Sequence, residues 1–133
     1  MDLDLARRVL EAVESHARSL GVRVSVSIID AAGHEALTAR MDGAFWFTPG
    51  IARTKARTSV AMGMDSADVA GLAATYPDLP PVIDEQLPFT LTTLGGGVIV
   101  RAGDGTLLGA VGASGATPEQ DVECARAGAS AWT

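Results

Sequence analysis

The 133-residue sequence has few of the residues that cross-link a chain or hold a structural metal. Its single cysteine, Cys124, excludes an internal disulfide, and no cysteine or histidine pair has the spacing of a zinc site. This cysteine usage favours a reducing setting. With 10 basic and 16 acidic residues, the formal net charge is −6. That sign is wrong for binding a phosphate backbone, so we expect no nucleic-acid partner.

Long apolar runs are also missing. No stretch reaches the roughly 18 residues that indicate a membrane span. The first 20 residues alternate charged and apolar side chains, unlike the continuous apolar run of a secretory signal. We therefore predict a cytoplasmic protein with no membrane partner. Its length fits a single domain over residues 1–133.

Apolar periodicity, capping residues and turn residues predict the order of secondary structure. The predicted elements are a helix over 3–20, a hairpin over 22–29 and 35–41, a helix over about 49–62, a short helix near 66–74, a hairpin over 98–101 and 106–113, and a helix over 118–131. The rest of 63–96, which contains four prolines, is predicted to be an ordered loop. Strand–helix–strand alternation is absent, so we predict an α+β domain with an antiparallel sheet of about five strands packed against helices.

Two helices have distinctive faces. On the first, a second apolar row beside the main one makes the apolar face wider than a single sheet contact requires, which suggests a partner or a ligand. On the helix over 49–62, Ala52, Ala56 and Ser59 form a stripe of small side chains that permits close approach to a sheet. Lys55 lies about 60° from that stripe and is predicted to be a half-buried cation.

Several separated motifs resemble, in one order, the GlcG/HbpS-like family, also called the haem-degrading domain family. They are similar, too, to the C-terminal domain of PduO-type cobalamin proteins. The resembling segments are residues 24–34, 39–44, 48–56, 95–99 and 108–121. The resemblance implies a profilin-like fold, a cytosolic homo-oligomer and, in some members, binding of haem or a corrinoid. One departure is the run Gly97-Val98-Ile99, where relatives often place a proline before the isoleucine.

Arg40, Asp42 and Lys55 are the candidate catalytic residues. The resemblance places them in the family's Arg-Met-Asp-Gly-Ala and Lys-Ala motifs, at the end of one strand and on the next helix. In a shared pocket Arg40 would hold a carboxylate, Asp42 would orient Arg40, and Lys55, the one lysine beside nine arginines, would add a point charge. A structural ion pair of Asp42 with either cation is the alternative.

Seven further residues are candidate ligand-binding residues. They are Phe45, Trp46, Phe47, Gly95, Gly96, Gly97 and His16. The aromatic run is predicted to plug the core, to dock a second subunit or to line a pocket for a flat ligand. The glycines are predicted either to form a nest of N–H donors facing Arg40 or to serve as a flexible start of a strand. His16 is either a haem ligand beside the broad apolar face or a solvated or interface histidine, whereas His34 lies in a turn.

Two functions are consistent with these residues. The first is an oligomeric small-molecule-binding protein whose cationic pocket of Arg40 and Lys55 takes haem or a related tetrapyrrole. The second is a cofactor-independent isomerase, tautomerase or lyase acting on a carboxylated small molecule, with Lys55 as general base and the glycines stabilising an oxyanion. No metal site is expected, because the acidic residues lack the spacing of a metal-binding loop.

Overall fold

The computed structural model describes all 133 residues and contains five helices and four strands. In chain order they are α1 (Leu3–Leu20), β1 (Ser25–Asp30), β2 (Glu35–Arg40), α2 (Thr48–Met62), α3 (Ser66–Thr75), α4 (Leu79–Gln86), β3 (Gly97–Arg101), β4 (Leu107–Ser114) and α5 (Pro118–Ala131). The predicted α+β class is confirmed. Both predicted hairpins and the helices α1, α2, α3 and α5 are present.

The four strands form one antiparallel sheet in the order β2-β1-β4-β3. The expectation of about five strands was wrong by one, because the two hairpins supply all the strands. The second half of the predicted loop was also wrong, since residues 79–86 form α4. Pro80 and Pro81 lie in the first turn of this helix, where the missing N–H of proline has no intrahelical acceptor to lose.

Capping residues define the ends of the outer helices as the sequence predicts. The Asp2 carboxylate accepts the Leu5 N–H at the start of α1, and Gly21 ends that helix in the left-handed region at φ +70°. Thr117 and Gln120 form a capping box at the start of α5. Each cap satisfies backbone groups that the helix leaves unpaired, which fixes where α1 and α5 begin.

The α1–α5 face of the sheet carries the branched apolar core. Val26 and Ile28 of β1 and Val111 of β4 are no more than 1% exposed, and they pack with buried apolar residues of α1 and α5. The broad apolar face of α1 is therefore accounted for, because it contacts both the sheet and α5.

The α2 face carries small and polar residues. A Cβ added to Gly112 of β4 would lie 2.0 Å from the Ala52 carbonyl oxygen, and one added to Gly97 of β3 would lie 2.3 Å from the Lys55 carbonyl oxygen. The Ser25 hydroxyl of β1 lies 2.8 Å from the Thr48 hydroxyl of α2. The stripe of small side chains thus brings the backbone of α2 directly onto the sheet, as the helical spacing predicts.

Candidate functional site

Phe45, Trp46 and Phe47 form an exposed aromatic cluster between β2 and α2. Their exposed fractions are 65%, 84% and 46%, so the core plug is excluded from the three predicted alternatives. The rings of Phe45 and Phe47 stack with centroids 5.4 Å apart, and Trp46 meets Phe47 edge-on at 5.8 Å. Together they present a continuous aromatic surface to solvent, which leaves a ligand wall or a docking surface as its role.

The loop that carries the aromatic cluster is held by short polar contacts. The Arg40 guanidinium donates to the Ala44 carbonyl at 3.0 Å, and Ala44 is buried. The Thr48 hydroxyl donates to the Phe45 carbonyl at 2.8 Å. Gly43 adopts φ +86°, a conformation that L side chains rarely adopt. The backbone is thus fixed on both sides of the aromatic rings.

A groove of about 530 Å³ lies between the edge strand β2 and the start of α2. Arg40 and Arg53 both line it, together with Glu35 and Pro49. Arg53 Nε lies 2.7 Å from a Glu35 carboxylate oxygen. Hydrogen bonds from Thr38 and then Arg53 lower the pKa of Glu35, so this carboxylate stays ionised. We call this feature the arginine groove; Pro49 follows the aromatic cluster by two residues, so cluster and groove adjoin along the chain.

Lys55 does not line a cavity. It is 2% exposed, and its Nζ atom lies 2.9 Å from an Asp121 carboxylate oxygen and 3.0 Å from the Ala113 carbonyl oxygen. Asp121 Oδ1 also accepts the Ala116 N–H at 3.0 Å. The prediction that Lys55 and Arg40 share one cationic pocket was therefore wrong within a single chain, because Lys55 contacts β4 and α5 whereas Arg40 lies on β2.

Asp42 does not orient Arg40 through an ion pair. Its side chain is exposed and lines a separate cleft of about 280 Å³ that includes Glu14, Arg18 and Arg23. The Asp42 carbonyl accepts a hydrogen bond from Arg23 at 3.1 Å. The structural ion pair predicted for Asp42 is therefore also absent; Asp121 is the partner of Lys55.

The three glycines 95–97 are buried and do not face Arg40. A Cβ added to Gly96 would lie 2.5 Å from the Ala113 carbonyl oxygen and 2.8 Å from Lys55 Nζ. The Gly97 N–H donates to the Ser66 hydroxyl at 2.8 Å. Strand β3 is also the far edge of the sheet from β2, about 14 Å away at the usual strand spacing. Gly96 and Gly97 make room for Lys55 and α2, whereas Gly95 makes room for Val122 of α5. The predicted donor nest toward Arg40 is not formed.

His16 lies in the α1–α5 layer. Its side chain is 36% exposed, and Nε2 lies 3.3 Å from a Glu123 carboxylate oxygen of α5. Glu14 and Arg18 of α1 face Asp42 across the 280 Å³ cleft. Two residues correspond to about 200° on a helix, so His16 points away from the segment that leads to the aromatic cluster. His34 is solvated, with 81% of its side chain exposed.

Two residues of these sites are not among the candidates predicted from the sequence: Asp121, which pairs with Lys55, and Arg53, which lines the arginine groove. Asp121 shares one helical face with Cys124, Ala125 and Gly128, all of them buried. An acidic residue on an apolar stripe is a sequence signal for a buried ion pair, since an unpaired buried carboxylate is costly. Arg53 has no comparable signal, because its place in the groove depends on how β2 and α2 pack.

The structure contains neither a metal-ligand cluster nor a helix that could span a membrane. No group of three or more histidine, cysteine, aspartate or glutamate side chains is arranged to hold a metal ion. None of the five helices combines the length and apolar character needed to cross a bilayer.

Comparison with known proteins identifies the family. The sequence model described as haem degrading protein HbpS-like matches residues 1–130, so the chain belongs to the HbpS-like family. The corrinoid adenosyltransferase PduO of Salmonella typhimurium is 36% identical over 127 residues, which are 92% of this chain and 36% of that protein. The chain thus spans about a third of PduO. A 15.0 kDa protein from the dhaT-dhaS intergenic region of Citrobacter freundii is 31% identical over 121 residues, 90% of this chain and 82% of that protein.

Solved structures share the fold. A crystal structure of a PduOC:haem complex has a TM-score of 0.83 and 31% identity, covering 98% of this chain and 94% of the other. HbpS has a TM-score of 0.85 and 32% identity, covering 98% and 88%. Protein ORFY of Klebsiella pneumoniae has a TM-score of 0.85 and 29% identity, covering 99% and 90%.

Proposed function

We propose that this protein binds haem or a related tetrapyrrole, with the aromatic cluster against the flat ring and the arginine groove at its carboxylates. The observation that carries the proposal is the exposed stack of Phe45, Trp46 and Phe47 beside a groove with two arginines. The haem complex of PduOC supports haem as the ligand to test first.

The chemistry of the two surfaces matches such a ligand. An aromatic surface stacks on a planar apolar ring, and a guanidinium binds a carboxylate in a bidentate manner. Arg40 uses one N–H contact on the Ala44 carbonyl, which leaves other donors of its guanidinium free. Arg53 is held by Glu35, so its position is fixed before a ligand arrives.

His16 is the proposed axial ligand of a haem iron, and it requires a second copy of the chain. In one chain His16 points away from the segment that precedes the aromatic cluster, so one haem contacts both only across a subunit boundary. A homo-oligomer is therefore part of the proposal. We place it in the cytoplasm because a single cysteine favours a reducing setting. Glu123 holds the His16 ring through Nε2, and iron binding at that atom must displace this contact.

An isomerase, tautomerase or lyase is the weaker proposal. Lys55, its proposed general base, has Nζ occupied by Asp121 and Ala113 and is 2% exposed. A base must reach the proton that it abstracts, and no cavity reaches this one.

The test is a titration of the purified protein with haemin, followed through the Soret band. We expect a saturable shift that Trp46→Ala and Arg40→Gln weaken, whereas Tyr76→Ala, at another exposed aromatic residue, leaves it unchanged. His16→Ala is expected to abolish the shift, with His34→Ala as the matched histidine control. Featureless, non-saturable absorbance in the wild type would overturn the proposal.

Mixing the variants tests the shared site. If one haem contacts His16 of one copy and the aromatic cluster of another, Trp46→Ala and His16→Ala proteins mixed under exchange conditions regain part of the Soret shift. An equimolar mixture that behaves as the average of its two components contradicts a site between subunits, while the wild-type titration still tests haem binding itself.

A further inference from the structure

A second groove, of about 440 Å³, lies beside the C-terminal half of α2, between the β1–β2 turn and the segment after α4. Its lining consists of Ala32, Gly33, Arg57, Val60, Ala61, Pro88 and Phe89. Arg57 is the one charged residue in this set. The second groove shares no lining residue with the arginine groove.

Arg57 is a half-buried cation with no ion-pair partner. No carboxylate oxygen lies within 4.0 Å of it; its guanidinium lies over the Phe89 ring, 5.9 Å from the centroid. Arg53, one helical turn earlier, is by contrast paired with Glu35. The charge of Arg57 acts on Glu35 at longer range, but the Glu35 carboxylate accepts its hydrogen bonds from Thr38 and Arg53. The guanidinium of Arg57 therefore keeps its donors for another anion.

The walls of this groove are held in place before any ligand binds. The Thr92 N–H donates to the buried Thr58 hydroxyl of α2 at 3.1 Å, and the Leu91 N–H donates to the Asp84 carboxylate at 2.8 Å. These bonds fix the segment that carries Pro88 and Phe89 against the helix. On the other side, Asp30 accepts the N–H groups of Ala32 and His34, both at 2.9 Å, and so fixes the turn.

We propose that this groove binds a small organic acid with an apolar body, an aryl or alkyl carboxylate. The carboxylate pairs with the Arg57 guanidinium, and the apolar body packs against Val60, Ala61 and the Phe89 ring. A volume of about 440 Å³ lies within the usual range of small-molecule pockets. The unpaired charge of Arg57 favours an acid as the ligand, and the apolar walls of the groove favour an apolar body on that acid. The proposal does not depend on haem binding.

The test uses 3-phenylpropionate as the probe and amide chemical shifts as the measurement. We expect saturable shifts at Gly33, Val60 and Ala61, and weaker binding of two partial probes: 3-phenylpropan-1-ol, which lacks the charge, and propionate, which lacks the ring. Arg57→Gln is expected to weaken binding by about tenfold or more, because a charge-assisted hydrogen bond is lost. Phe89→Ala weakens it by less, through the lost ring contact.

Arg8→Gln is the matched control, since it removes the same charge from an exposed position on α1. Three outcomes overturn the proposal: equal affinity for the acid and the alcohol, unchanged affinity in Arg57→Gln, or shifts confined to the arginine groove. Arg57 and Phe89 are not fully buried, so both variants are expected to keep the dispersed spectrum of the folded protein. None of these outcomes alters the haemin titration, so the two proposals fail separately.

Discussion

The two faces of the sheet are packed in different ways. On the α1–α5 face, branched side chains such as Val26, Ile28 and Val111 fill the space between the layers. On the α2 face, Ser25, Gly112 and Gly97 let the helix backbone approach the strands directly. One face is held by apolar volume, and the other by backbone proximity and hydrogen bonds.

This difference bears on binding, because α2 lines both grooves. Pro49 and Arg53 line the arginine groove, and Arg57 and Val60 line the second groove. A helix seated on glycine has little room to shift, so side chains on its outer surface keep their positions relative to the strands. Rigid support of this kind favours binding, since less ordering is left for the ligand to impose.

The largest expected effect comes from breaking the buried ion pair that links α2 to α5. Asp121→Ala leaves Lys55 charged and unpaired in the interior and should lower the free energy of unfolding by about 3–5 kcal/mol. The double variant Lys55→Met/Asp121→Leu should recover only part of that loss, because the Ala116 N–H and the Ala113 carbonyl still lose a hydrogen-bond partner. Denaturant unfolding measures both. Asp4→Ala, which removes an exposed pair with Arg7, is the control and should change the free energy of unfolding little. A similar loss in Asp121→Ala and Asp4→Ala would contradict the special cost of the buried pair.

Overpacking the α2 face should have the next largest effect. Gly112→Ala places a methyl group 2.0 Å from the Ala52 carbonyl oxygen, and a helix backbone cannot yield as a flexible side chain does. We expect a loss of about 3 kcal/mol, at the upper end of the usual cost of overpacking. Gly103→Ala, with nothing within 4 Å of the added methyl, should be nearly neutral in the same unfolding experiment.

A small deletion on the α1–α5 face should be tolerated better. Ile28→Val removes one methylene from a residue that is 0% exposed and should cost about 1 kcal/mol. Val82→Ala, at a residue 55% exposed, serves as the control and should cost less. If Ile28→Val destabilises as much as Gly112→Ala, the two faces do not differ in how they tolerate changes of volume.

The smallest effect concerns pH and the edge strand. The pKa of Glu35 is lowered from 4.5 by hydrogen bonds from Thr38 and Arg53, so the ionised group stabilises the fold above that value. Thermal unfolding should show a higher Tm for the wild type than for Glu35→Gln at pH 7. The gap should close as pH falls through the lowered pKa and the carboxylate takes up a proton. Glu11→Gln is the exposed control, and a gap that widens in acid would contradict this assignment.

Local signals were sufficient for most of the elements. The Asp2 and Gly21 caps, the capping box at Thr117 and the turn glycines all act within four residues, and the elements they delimit were predicted correctly. The proline content of this segment predicts a loop, because proline breaks a helix interior. Helix α4 forms nevertheless, since Pro80 and Pro81 occupy its first turn. The sequence does not predict whether the aromatic cluster is exposed, since no local signal distinguishes a buried core plug from an exposed surface.

The candidate site was predicted less well, because its residues meet through long-range packing. Lys55 and Asp121 are 66 residues apart, and their pairing depends on the Lys55 side chain of α2 and the start of α5 both lying beside the end of β4. The glycines 95–97 were expected near Arg40, but the sheet order places β3 and β2 at opposite edges. Strand order is set by how whole hairpins pair, and no local motif encodes it.

The amino-acid sequence by itself determined the α+β class, the two hairpins, the close approach of α2 and the presence of an aromatic cluster. Periodicity and capping depend on neighbours a few residues away, which is why these features can be predicted from sequence. Only the tertiary structure decided that Lys55 is buried against Asp121, that Arg40 shares a groove with Arg53, and that Arg57 lacks a counterion. Burial and charge pairing depend on which distant segments come together, and that is a property of the folded chain.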